Sequence, residues 1–186
     1  MKKILMLLAI CVLCLGGVVS AAEGPMLQTT GIIAGVEDDK AIIKAHEPGK
    51  DVALYIGKAP YFIDKQTGSK LTVNDVKAGL QVTAFYAPRL TKSIPPLGVA
   101  SLMVLGKGEE KVAYVRVSRS VPADNKSVLL YYDDATIRIP DNVLPGCQEI
   151  RLGDQLLVWL NPGFNLPEGS MDGAVGKALM LNRHLK

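Results

Sequence analysis

Apolar and polar residues alternate in short runs along most of the chain, the period-two signature of strands that bury one face. In the first half, 31–36, 41–45 and 52–56 are rich in β-branched residues and are separated by the polar stretches 37–40 and 47–50. The second of these holds Pro48-Gly49, a turn former because proline pre-sets one corner and glycine tolerates positive φ. A turn at 65–68 leads into 72–79, where Thr72 can cap, Asp75 favours the positive end of a helix and Gly79 can close it. That predicts a short helix. Strands at 81–87 and 99–105 follow. In the second half, strands are expected at 114–118, 128–132, 136–139, 155–160 and 174–181, with a shorter helical segment near 147–152.

The two halves share sequence. V-A-L-Y-I-G-K-A-P-Y-F-I-D from Val52 to Asp64 and V-L-L-Y-Y-D-D-A-T-I-R-I-P from Val128 to Pro140 agree at 5 of 13 positions, where average composition gives roughly one. The match returns at Gly79-x-Gln81-Val82 and Gly153-x-Gln155-Leu156, and again at 99–105 and 175–181. A period of about 75 residues is too long for a solenoid unit and suits a duplicated small domain. Three strands, a short helix and two strands is the order of an OB-fold. The expected fold class is therefore all-β: two tandem five-stranded OB-like barrels, each with a short helix between strands three and four. Other small barrels, SH3-like ones included, fit nearly as well. The expected domains are 30–106 and 112–183, joined by the short charged linker 107–111.

The N-terminus changes the composition argument. Lys2 and Lys3 precede an uncharged, mostly apolar run at 4–19, and Val19-Ser20-Ala21 offers small residues for cleavage, so 1–21 is expected to be an export signal. The run is short for a membrane anchor and holds Gly16-Gly17; Ile10 and Leu13 stand where a lipid-attachment site needs small residues before Cys11 and Cys14. Loss of Lys2 and Lys3, two of 21 basic residues against 18 acidic ones, lowers the net charge from +3 to +1. A near-neutral exported chain has no electrostatic case for nucleic acid. Cleavage also removes two of three cysteines. Cys147 alone remains, so an internal disulfide is excluded despite an oxidising compartment, and a small buried filler is its expected role. The expected location is secreted or in the extracytoplasmic cell envelope, with no transmembrane anchor after cleavage.

Alternation also assigns faces. Val82, Ala84 and Tyr86 share one side of the fourth strand, as do Leu156, Val158 and Leu160; Phe85 and Trp159 lie opposite at matched positions. Likewise Val52, Leu54 and Ile56 match Val128, Leu130 and Tyr132, leaving Tyr55 and Tyr131 on the other face. These aromatics either bury one another between barrels or form a stacking platform for a ligand, and a one-residue slip in register would exchange the faces.

Catalytic constellations are scarce. His46 and His184 have no ligand-spaced Cys or acidic partner, Asp38-Asp39 and Asp133-Asp134 fit solvated turns better than an acid–base dyad, and no nucleophile motif occurs. No metal, cofactor or enzymatic activity is expected. Asn125-Lys126-Ser127 matches a glycosylation sequon, a common chance tripeptide. One loop stands apart: Pro88-Arg89-Leu90-Thr91-Lys92-Ser93-Ile94-Pro95-Pro96 interleaves two cations with two hydroxyls between prolines, so it can hold an anionic group or simply close the barrel mouth. The second half keeps a proline there, in 163–169, but has neither cation.

Phe62-Ile63-Asp64-Lys65-Gln66-Thr67-Gly68, Val76-Lys77-Ala78-Gly79, Ala84-Phe85-Tyr86-Ala87-Pro88 and Thr91-Lys92-Ser93-Ile94-Pro95-Pro96 together resemble uncharacterised secreted bacterial β-barrel proteins. Some of these accompany copper-amine-oxidase-like N-terminal domains in envelope proteins. The resemblance covers 31–106. Leu80 departs from the Gly-Asp that such proteins carry, which the second half has as Gly153-Asp154. It implies export and a barrel, and brings no catalytic residue.

The expected function is a non-catalytic binding or structural module of the envelope. The alternative is a glycan or peptidoglycan binder that stacks sugars on Tyr55, Phe85, Tyr131 and Trp159. Arg89, Thr91, Lys92 and Ser93 complete the candidate ligand-binding residues, and the partner is a cell-wall glycan or another envelope protein.

Overall fold

The computed structural model describes residues 25–57, 61–124, 126–132, 135–164, 170–171 and 173–182. The expected signal at 1–21, His184, Asp133-Asp134 and Asn125 lie outside them. Among the described residues, no helix is long and apolar enough to cross a membrane.

The chain is all-β. The first half contributes β1 (Leu27–Glu37), β2 (Lys40–Ala45), β3 (Val52–Tyr55), β4 (Tyr61–Asp64), β5 (Lys70–Leu71), β6 (Gln81–Tyr86) and β7 (Leu97–Leu105). Strand β1 pairs antiparallel with β2 and β6, β2 with β3, and β6 with β7. Parallel pairing of Ala53–Tyr55 with Leu97–Val99 then joins β3 to β7 and closes a five-stranded barrel. Its interior holds Ile33, Ile43, Leu54, Val82, Tyr86 and Met103. The β1–β2 turn places Asp38 and Asp39 at φ 45° and 60°, the left-handed pair that a two-residue hairpin turn demands. This carboxylate pair is therefore turn chemistry.

Strand β7 is long enough to serve twice. Beyond the barrel closure, Leu102–Leu105 pair with β4, which carries β5 at its outer edge. The expected short helix at 72–79 is absent. Thr72 does cap, its backbone N–H and hydroxyl both donating to the Asp75 carboxylate at 2.8 Å, but the result is one 3-10 turn, Val73–Asp75. Gly79 N–H donates to the Ile33 carbonyl at 2.8 Å and Ile33 N–H to the Leu80 carbonyl at 2.9 Å. The chain is drawn back onto β1 before a second helical turn can form, and a lone turn gains too few hydrogen bonds to continue.

The second half holds β8 (Lys111–Arg116), β9 (Arg119–Asp124), β10 (Ser127–Tyr132), β11 (Ala135–Pro140), β12 (Gln155–Leu160), β13 (Ser170–Met171) and β14 (Val175–Asn182). They form two sheets, β13-β11-β10-β9 and β14-β12-β8. Gly153 N–H donates to Val117 O at 2.8 Å and Val117 N–H to Asp154 O at 2.9 Å, the same clasp that Gly79 and Leu80 make. Gly79 and Gly153 both adopt positive φ, 85° and 87°, which explains glycine at both positions. The departure at Leu80 is also explained. Asp154 is buried and accepts from Arg151 N–H at 2.9 Å, whereas Leu80 packs against the barrel core.

One matched block needs correction. Strand β10 pairs with β9 and β11, so Val128–Tyr132 has the place of β2, not of β3. The V-x-L pattern satisfies any strand with one buried face and did not distinguish neighbours.

Candidate functional site

Phe85 and Trp159 project from β6 and β12 on the faces that alternation assigns, away from the two interiors. They meet in a third core with Ile63, Leu102, Val112 and Leu157, and are only 3% and 4% exposed. Tyr114 packs beside Phe85, ring centroids 6.1 Å apart. Burial removes both residues from any open stacking surface, which corrects their place among the ligand-binding candidates.

The third core is fastened by contacts that the sequence does not show, one of them from Lys177. Trp159 Nε1 donates to the Lys65 carbonyl at 2.8 Å, and the Lys177 ammonium sits 4.5 Å from the Trp159 ring centre while donating to Gln66 O at 3.0 Å. The β4–β5 turn is thus gripped by β12 and β14. Its own shape comes from Asp64, whose carboxylate accepts from the backbone N–H of Gln66 and Thr67 and from the Thr67 hydroxyl. Those Thr67 hydrogen bonds hold the Asp64 carboxyl below its ordinary range. A depressed folded value means stabilisation is complete above the unfolded value of about 3.9 and is lost as pH falls through the folded one. Asp64→Asn is accordingly expected to lower the urea midpoint at pH 7 and to match wild type near pH 2; an equal deficit at both values would show that the charge is irrelevant.

Lys65 is 9% exposed, and its ammonium donates to Gly108 O of the linker at 2.6 Å. Burial pushes its pKa down, with Glu110 opposing the change. It lines a cleft of about 420 Å³ between the halves with Gln28, His46, Gln81, Glu109 and Glu110. Among the described residues no group of three or more His, Cys, Asp or Glu is placed to hold a metal.

Cys147 lies fully buried in the interior of the second half. Burial, then Asp141 and Asp124, push its thiol pKa up, which favours the unreactive protonated form. Native protein should react with a thiol reagent at least about a hundredfold more slowly than unfolded protein; comparable rates would place the thiol at the surface.

Tyr55 and Tyr131 remain nearer the surface. Tyr55 on β3 is 41% exposed and has Lys40 5.9 Å from its ring centre. Tyr131 on β10 is half-buried, with the Arg119 guanidinium 5.2 Å away. In each case the cation is the tyrosine's cross-strand partner. The rings stand on different strands of different halves and are not brought together.

The segment from Pro88 to Pro96 joins β6 to β7 and is exposed over most of its length. Arg89, Thr91, Lys92 and Ser93 are exposed, and Ile94 is 99% exposed. Thr91 N–H donates to Leu97 O and Leu97 N–H to Thr91 Oγ1, both at 2.9 Å. Thr91 Oγ1 and Ser93 Oγ lie 2.6 Å apart, and the Ser93 hydroxyl donates to Pro95 O at 2.9 Å. Both hydroxyls are therefore engaged within the loop, which reads less as an anion cradle than as a braced projection.

No protein-family model matches the chain. The chain is similar to a protein of Brevibacillus choshinensis named a protease inhibitor, at 34% identity over 96 residues. That similarity takes in 46% of this chain and 29% of the relative's length, so the chain spans less than a third of that relative.

Proposed function

We propose that the protein is an exported, non-catalytic module that binds a protein partner, and that the partner is an endopeptidase which it inhibits. The observation that carries this reading is the 88–96 loop: exposed at its tip, braced from within, and set between two strands of a closed barrel. Preorganised loops of this kind bind tightly because little conformational freedom is left to lose. The name of the similar Brevibacillus protein supports the same class of partner. The strand order β1-β2-β3-β7-β6, with β3 and β7 parallel, supports an OB-like barrel. A second such unit is supported by the matching antiparallel pairings and by the parallel pair β11–β13. Release from the cytoplasm follows from the N-terminal signal pattern. The glycan reading is weaker, because two of its four rings are buried and each of the other two has a cation over it.

Titration of the purified protein against serine, cysteine, aspartic and metallo-endopeptidases tests the proposal. Saturable inhibition of at least one of them at nanomolar to micromolar protein is expected. Digestion by all four classes with no inhibition would reject it.

A further inference from the structure

We infer that the cleft between the two halves binds a small organic acid, with Lys65 taking its carboxylate and an uncharged polar floor taking hydroxyl or amide groups of the same molecule. This site is separate from the 88–96 loop and does not depend on the inhibitor reading. Its floor comes from strand alternation. Gln81, Thr83 and Phe85 share one face of β6, and Gln28 and Thr30 share the adjoining face of β1. At Phe85 that face is buried in the third core; at Thr83 and Gln81 it turns polar and lines the cleft. Thr30 and Thr83 are cross-strand partners with hydroxyl oxygens 3.3 Å apart. The side-chain amides of Gln28 and Gln81 make no hydrogen bond among the described residues.

Lys65 is held against this floor by its own backbone. Its N–H donates to Leu105 O at 2.8 Å, and its carbonyl accepts from Trp159 Nε1 at 2.8 Å, so both halves fix it. The side chain then runs to the linker, where the ammonium donates to Gly108 O at 2.6 Å. An ammonium has three N–H donors, and this one makes no other hydrogen bond and no ion pair among the described residues. A cation buried against a single neutral carbonyl is costly, and an anion brought to it offsets that cost. The downward pull of burial on the Lys65 pKa has the same physical origin.

The charges around the cleft set the class of ligand. Glu109, Glu110 and Lys111 also line it, but all three are exposed, where water and salt weaken their fields. Lys65 is the buried charge and dominates for a ligand that reaches it. Two glutamates at the rim disfavour a doubly charged anion such as phosphate, whereas a single carboxylate on an otherwise neutral molecule meets one cation and a hydrogen-bonding floor. The cleft of about 420 Å³ falls within the roughly 300–1,000 Å³ of small-molecule sites. It suits a molecule the size of a monosaccharide or a dipeptide.

The test titrates the full chain at low ionic strength with D-glucuronate and with N-acetyl-L-alanine, and reads backbone amide shifts by NMR. Glucose and inorganic phosphate serve as controls. Wild type is expected to bind at least one of the two acids with millimolar or tighter affinity, to shift the amides of Thr83 and of 106–111, and to bind neither control. Lys65→Met should weaken binding about tenfold or more, the scale of a lost charged hydrogen bond. Lys107→Met, at an exposed linker lysine outside the cleft, should leave it unchanged. Glu110→Gln removes the carboxylate that acts on Lys65 and should tighten binding severalfold, an outcome that decides the matter even if Lys65→Met fails to fold. Binding of neither acid, equal binding of phosphate or glucose, shifts confined to another surface, or an affinity unchanged by Lys65→Met or by Glu110→Gln would overturn the assignment. The endopeptidase titration is decided separately.

Discussion

Replacing Trp159 with alanine is expected to destabilise the protein by about 4 kcal/mol, the scale of a large aromatic removed from a core, and to split its unfolding into two transitions. The indole is 4% exposed and packs where β6 and β7 of the first half meet β12 and β14 of the second. Truncation removes that contact, frees Lys177 from the ring it covers and strands the Lys65 carbonyl, whose indole donor lies 2.8 Å away. An acceptor left unsatisfied in a buried setting costs about 1–3 kcal/mol in its own right. Trp159→Phe separates the two contributions, since it keeps most of the apolar burial and deletes the donor; a loss of about 1–3 kcal/mol is expected there. Trp159 is the single tryptophan, so far-UV circular dichroism in urea is the suitable readout for both variants. A loss below about 1 kcal/mol with one unchanged transition would mean that the third core does not couple the halves.

Gly31→Ala is expected to be nearly as damaging, at about 3 kcal/mol, the upper range for overpacking. A Cβ on Gly31 would collide with the Lys44 carbonyl oxygen and lie 2.8 Å from its carbon and 2.9 Å from the Ala45 Cα. These are backbone atoms of β2, and Gly31 is paired on both sides, with Ala45 and with Val82. Relief requires that β1 and β2 separate at the centre of the closed barrel. Gly35 lies on the same strand with no atom within 4 Å of an added Cβ, so Gly35→Ala is the control and should change stability by less than about 1 kcal/mol. Equal urea midpoints for the two variants would show that close approach at Gly31 is not what fixes its size.

The physical basis of what was legible differs from element to element. Alternation at Gln81–Tyr86 and Gln155–Leu160 places Phe85 and Trp159 outside their own interiors, because side-chain direction in a strand follows from local geometry. Gly79 and Gly153 are legible as a matched pair, and both adopt the positive φ that glycine tolerates. The Thr72–Asp75 signal marks a cap that does form, but the helix it predicts is only a single 3-10 turn. Capping residues determine how a turn begins, while its length depended on the pull of Gly79 and Leu80 onto β1, more than forty residues earlier in the chain. The 88–96 loop is legible as a stiff, hydroxyl-bearing segment, but the pairing of those hydroxyls with each other is not.

By itself the sequence determined an all-β chain, the faces of its central strands, the burial expected of Cys147 and the loop whose two cations the second half lacks. Each follows from periodicity, residue chemistry or comparison between the halves. The tertiary structure alone decided that Phe85 and Trp159 face each other's neighbours in a shared core, and that the β4–β5 turn is what Trp159 and Lys177 hold. Trp159 and the Lys65 carbonyl are 94 residues apart, and no local pattern encodes such a pair. Only chain closure through β3 and β7 brings β4 to the side of the barrel where the second half can bury it.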